Sequence, residues 1–97
     1  MGRAQNYGPD LPRFNHVTIT TEPTLIVDKN SGRCRVIVVL LADGEDLWLG
    51  DETVTPDTGQ LVVEGRGNAY TTEYTGPLYG VVASGTLDVS YFSEDWF

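Results

Sequence analysis

Apolar and polar residues alternate along this chain in short pieces, and Gly, Pro, Asn, Asp and Ser stand between the pieces. No window of about 11–18 residues carries the i, i+3, i+4, i+7 apolar spacing of an amphipathic helix. Val, Ile, Thr, Tyr and Trp instead cluster in runs of strand length. The pattern predicts an all-β chain with strands at 15–21, 24–28, 34–42, 46–50, 60–64, 69–75, 78–83 and 86–92. Turn chemistry separates them: Asn30-Ser31-Gly32 suits a tight reversal, Asp43-Gly44 tolerates positive φ, and Ser84-Gly85 reads as a two-residue hairpin turn. Strands spaced this way close into a small antiparallel β-sandwich or barrel, Ig-like or jelly-roll-like.

The strands differ in which faces they bury. In 86–92, Leu87, Val89 and Tyr91 alternate with Thr86, Asp88 and Ser90, so one face meets the core and the other meets water. In 34–42 both parities are apolar after Arg35: Cys34, Val36, Val38 and Leu40 on one side, Ile37, Val39 and Leu41 on the other. Such a strand needs cover on both faces, and a partner subunit is one source of the second cover. Cys34 falls on the wholly apolar face and is expected to pack there as a small hydrophobe. Tyr79 and Trp48 are large enough to fill the space between two sheets about 10 Å apart; the pattern favours core for Tyr79 and leaves Trp48 open.

With 97 residues the chain holds one domain. Residues 1–14 lack periodicity and contain Pro9 and Pro12, which prevent regular ladder pairing, so they read as an extended N-terminal arm. Residues 15–97 form the sandwich domain, ending in a short aromatic tail, Trp96-Phe97. That tail either plugs the open end of its own sandwich or contacts another molecule. The longest apolar run, 36–42, is far below the ~20 residues that span a bilayer, so no membrane partner is expected. No secretory leader or Asn-x-Ser/Thr acceptor is evident and Cys34 has no partner for a disulfide, which together fit a chain made in a reducing cytoplasm.

Charge narrows the partners. The formal net charge is −8, which opposes direct nucleic-acid binding, because phosphate contact draws on counterion release by Lys and Arg. Residues 1–42 carry five of the six cations against three anions, whereas residues 43–97 carry one cation against eleven anions. Segments of opposite sign suit docking between neighbouring chains; acidic loops that keep a small β-domain soluble are the plainer account.

Candidate chemistry adds little. Asp57-Thr58-Gly59 is the triplet of aspartic proteases, but Val54-Thr55-Pro56 precedes it where an apolar strand belongs, and a β-turn with Pro56 at its second position explains it. Asp43, Glu45, Asp46, Asp51 and Glu52 lack the spacing of a calcium loop and read as solvated turn charges. His16 is the single histidine, so no zinc site or Ser-His relay can be built from two imidazoles, and it reads as a surface residue of the first strand. Gly65-Arg66-Gly67 precedes no helix, which removes a phosphate cradle. The expectation is a non-enzyme with no cofactor and no metal.

Several segments in order, Arg35-Val36-Ile37-Val38-Val39-Leu40, Leu47-Trp48-Leu49-Gly50, Val54 to Gly59, Tyr74-Thr75-Gly76-Pro77-Leu78-Tyr79-Gly80-Val81-Val82-Ala83 and Gly85 to Ser90, together resemble small β-sandwich virion proteins of tailed bacteriophages. The resemblance spans about residues 24–92 and its motifs are structural. It implies a structural protein of the viral particle that decorates or cements the capsid surface after synthesis in the host cytoplasm. Its partners would be the major capsid protein and neighbouring copies in a homo-oligomer, with a trimer suited to three-fold lattice sites. In that setting the arm would add a strand to a capsid subunit, with Arg3 and Arg13 meeting acidic neighbours and Tyr7 and Phe14 filling pockets, while Trp96 and Phe97 supply a second contact. Two alternatives use the same fold: a head–tail connector or fibre module, and a carbohydrate-binding module with Trp48, Tyr70 or Tyr74 as a stacking platform.

Overall fold

The computed structural model describes residues 13–95. They form eight strands: β1 (Arg13–Ile19), β2 (Thr24–Val27), β3 (Arg33–Leu40), β4 (Leu47–Gly50), β5 (Gln60–Val62), β6 (Ala69–Thr72), β7 (Leu78–Val81) and β8 (Leu87–Asp95). Each coincides with one of the expected strand segments. Several ends differ from the expected bounds: β3, β5, β6 and β7 stop two or three residues early, β1 starts at Arg13 and stops at Ile19, and β8 runs on to Asp95, because Arg13 and Phe14 pair with Ser93 and Phe92 while Arg33 and Arg35 pair with Asp95 and Glu94.

Two four-stranded antiparallel sheets result, ordered β1-β8-β3-β6 and β2-β7-β4-β5. In sequence terms β1 pairs with β8, β2 with β7, β3 with β6 and β4 with β5. The chain is therefore one long hairpin, closed at the β4–β5 loop and rolled up so that each of the six remaining connections between these strands crosses between sheets. This is the order of the eight-stranded jelly roll, one of the two sandwich types the spacing allows. It corrects the reading of Ser84-Gly85 as a hairpin turn: β7 and β8 lie in different sheets, and the segment between them crosses over. Gly85 still supplies the left-handed backbone the crossover needs, at φ +67°.

The core fills the space between the sheets. Ile19, Val36, Val38, Leu40, Leu87 and Val89 project from the first sheet onto Ile26, Leu47, Leu49, Val62, Leu78 and Val82 of the second, and all twelve are buried. Burial of one such side chain contributes about 1.5–3 kcal/mol.

Register corrects two side-chain placements. β3 carries a bulge between Arg33 and Arg35, where two steps along β3 match one step along β8. The bulge reverses the parity at the start of the strand, so Arg33 turns inward at 2% exposure and Cys34 is half-buried instead of joining Val36 and Val38 in the core. Tyr79 lies opposite Leu25 and Gly50, on the outer side of the second sheet, because its neighbours Leu78 and Gly80 face the core. Trp48, opposite Leu61 and Val81, shares that outer side.

Candidate functional site

Arg33 organises one end of the sandwich. Its Nε and Nη2 donate to the carbonyl of Tyr74 at 3.2 and 2.8 Å, Nη2 donates to the carbonyl of Gly76 at 2.8 Å, and Nη1 donates to the carbonyl of Asp28 at 2.9 Å. The Asn30 amide donates to the Thr75 carbonyl at 2.8 Å beside them. A buried guanidinium thus ties the β2–β3 loop to the β6–β7 loop by satisfying carbonyls that no ladder reaches. Sequence reasoning missed Arg33, since nothing in an alternating pattern marks a bulge that turns a cation inward.

The expected partner-binding residues attach at this same end. Arg3, Tyr7, Trp96 and Phe97 lie outside the described residues, as do the side chains of Arg13 and Phe14. The backbone of Arg13 and Phe14 belongs to β1 and not to the arm, because the ladder with β8 includes both. Arg13 stands opposite Ser93, so residues 1–12 join the start of β1 next to the point where 96–97 follow β8. All six candidates are therefore tethered to one corner of the first sheet.

The outer faces of the two sheets differ. On the first, Arg35 forms an ion pair with Glu94, Thr18 Oγ1 donates to Asp88 Oδ1 at 2.7 Å, and His16 is exposed beside Ser90. Between these polar groups Ile37, Val39 and Phe92 are half-buried, so the second apolar side of β3 is neither fully covered nor fully open. Hydrogen bonding and charge from Glu94 raise the affinity of Arg35 for its proton. On the second sheet the outward positions are Leu25, Tyr79, Val81, Trp48 and Leu61, together with Gly50. The 51–59 loop folds over one end of this face and buries Val54 there. A Cβ on Gly59 would lie 2.7 Å from both Trp48 Cβ and Val54 Cγ2, so only glycine lets the loop close this tightly.

The charge asymmetry along the sequence does not become two separate poles. Strands from the first 42 residues interleave with later ones in both sheets, and Arg35 meets Glu94 across one ladder. The acidic residues instead hold loops. Glu64 Oε1 accepts from the Gly44 amide at 2.9 Å, Asp46 Oδ1 from the Glu64 amide at 2.7 Å, and Asp43 Oδ1 from the Arg66 amide at 2.7 Å. Asp51 Oδ1 accepts from Thr53 Oγ1 at 2.6 Å and from the Thr53 amide at 2.8 Å, and these two bonds lower its pKa below the ordinary carboxylate value. Among the described residues no group of three or more His, Cys, Asp or Glu is placed to hold a metal ion. Residues 55–58 form the expected turn, with the Thr58 amide donating to the Thr55 carbonyl at 3.1 Å and Asp57 exposed at its tip.

Of the three aromatics considered as a sugar platform, two come together. Tyr70 and Tyr74 line a cleft of about 340 Å³ with Asp51, Gln60 and Thr72 over Leu49 and Leu78, while Trp48 is on the far side of β4. No family model, curated protein or solved structure matches the chain.

Proposed function

We propose that this protein is a structural subunit of a tailed-phage particle that binds the outside of the capsid and stabilises it, without catalysis. The observation that supports this reading best is the convergence at one corner. The arm that carries Arg3 and Tyr7, the start of β1 at Arg13 and Phe14, and the aromatic tail Trp96-Phe97 are all joined to the same end of two paired strands. Twelve residues extend at most about 40 Å, enough to cross onto a neighbouring subunit and add a strand to its edge. A ligand that favours the assembled shell shifts the equilibrium towards it, so many such contacts would cement the particle. The resemblance in the strand and turn motifs of residues 24–92 points the same way.

The test is co-sedimentation of the purified chain with particles stripped of their surface proteins. The full-length chain is expected to bind and to raise the temperature at which the shell opens. Removal of residues 1–12, which spares β1, is expected to weaken binding at least about tenfold. Absence of the protein from purified virions, or failure of the full-length chain to bind, would overturn the reading. Label found at a single vertex or along the tail would move it to a connector or fibre.

A further inference from the structure

The outer face of the second sheet is uncharged from edge to edge. Leu25 on β2, Tyr79 on β7, Trp48 on β4 and Leu61 on β5 point outward from its paired strands, Tyr79 and Trp48 half-buried, while Val81 of β7 lies on the same side but is already covered at 2% exposure. Leu25 and Leu61, on the two edge strands, are 40% and 43% exposed, and Val63 just past β5 is 58% exposed. An apolar face across four strands is unusual for a small chain of net charge −8, which has ample polar residues to place there. Its border has the opposite character. Glu22 precedes β2, Asp46 and Asp51 flank β4, and Glu64 follows β5, against two cations near these strand ends in sequence, Lys29 after β2 and Arg66 after β5.

Resting on the virion reading above, we propose that this face is a docking surface for a subunit of the shell, whose matching patch is apolar at its centre and bordered by Lys or Arg. Charge complementarity selects that occupant. Two copies of the chain laid face to face would bring acidic borders together, whereas a basic border turns the same carboxylates into steering and register contacts. The apolar centre supplies the area that leaves water, and Trp48 and Tyr79 are the residue types that dominate such centres.

Leu25→Asp and Leu61→Asp test this, because both side chains project from edge strands away from the core. Each is expected to keep the wild-type melting temperature and to weaken binding to stripped particles at least about tenfold, and about 0.5 M salt is expected to weaken wild-type binding. Thr71→Asp, on the outer face of the first sheet, is expected to bind as wild type. Should an aspartate variant melt early, serine at the same position carries the comparison. Wild-type binding that all these variants retain would overturn this inference and leave the virion reading standing. A wild-type dimer that Leu61→Asp dissociates would hand the face to a second copy and overturn the inference too. No binding by the wild type would remove the virion reading and this face's role with it.

Discussion

Arg33 grips the peptide of Tyr74 from below, with two guanidinium nitrogens on one carbonyl oxygen, across a separation of 41 residues. The contact joins the bulge in β3 to the loop that carries Tyr74 past Gly76, and it explains why a cation stands where the alternation of β3 would put an apolar side chain.

Arg33→Met should therefore be among the most damaging single changes at this end. It removes a buried guanidinium and the donors it offers to the part-buried carbonyls of Asp28, Tyr74 and Gly76, at a cost of about 2–4 kcal/mol. Thermal unfolding is expected to show a fall in Tm of more than about 10 °C. Arg33→Lys should recover only part of it, since one ammonium cannot reproduce the planar fork.

Cys34 and Val36 offer a contrast. The bulge leaves Cys34 half-buried while Val36 is fully buried two residues on. Cys34→Ser is expected to change stability by less than about 1 kcal/mol, and Val36→Ser to cost more than about 2 kcal/mol through lost packing and a buried hydroxyl. Urea melts compare the two directly; equal costs would mean that the bulge is absent in solution.

Gly59→Ala forces a methyl against Trp48 and Val54 from 2.7 Å. The expected loss is about 1–3 kcal/mol, together with a shift in tryptophan fluorescence as the loop lifts from the sheet. Unchanged stability and spectrum would show that the 51–59 loop does not close over the second sheet.

Asp51 should titrate below an ordinary aspartate, because the Thr53 hydroxyl and amide both bind its charged form. The sign follows from linkage: a depressed folded pKa contributes stability that is complete above the unfolded value and fades as pH falls through the folded one. Thr53→Val removes the hydroxyl and is expected to raise the Asp51 pKa, read by carboxyl NMR titration, and to shrink the stability lost on acidification at that site. No movement of the Asp51 midpoint would place its cause elsewhere.

Much of the fold was legible because it is written locally. Alternation at Leu87, Val89 and Tyr91, the double apolar run of 36–41 and the turn residues between strands located all eight strands. Which strands pair was not legible, because β1 meets β8 across 68 to 80 residues and no local signal encodes that choice. The same gap misplaced Tyr79: its parity was readable, but which parity faces the core depends on the sheet it joins. Arg33 was hidden by a one-residue bulge, and the apolar outer face became visible only when Leu25, Tyr79, Trp48 and Leu61 were brought side by side from four distant segments. The arm and tail residues remain what the sequence made them, candidates joined to a shared corner.

The position of β8 has a bearing on biosynthesis. It lies between β1 and β3, so the first sheet has no centre until the final strand has left the ribosome. Until that moment β1 and β3 offer open edges and apolar faces to whatever is nearby, and the nascent chain depends on delay or chaperone cover to stay unaggregated. A frameshift or proteolytic cut before residue 87 would therefore leave the first sheet without its middle strand, and the folded domain is reached only by chains translated through β8.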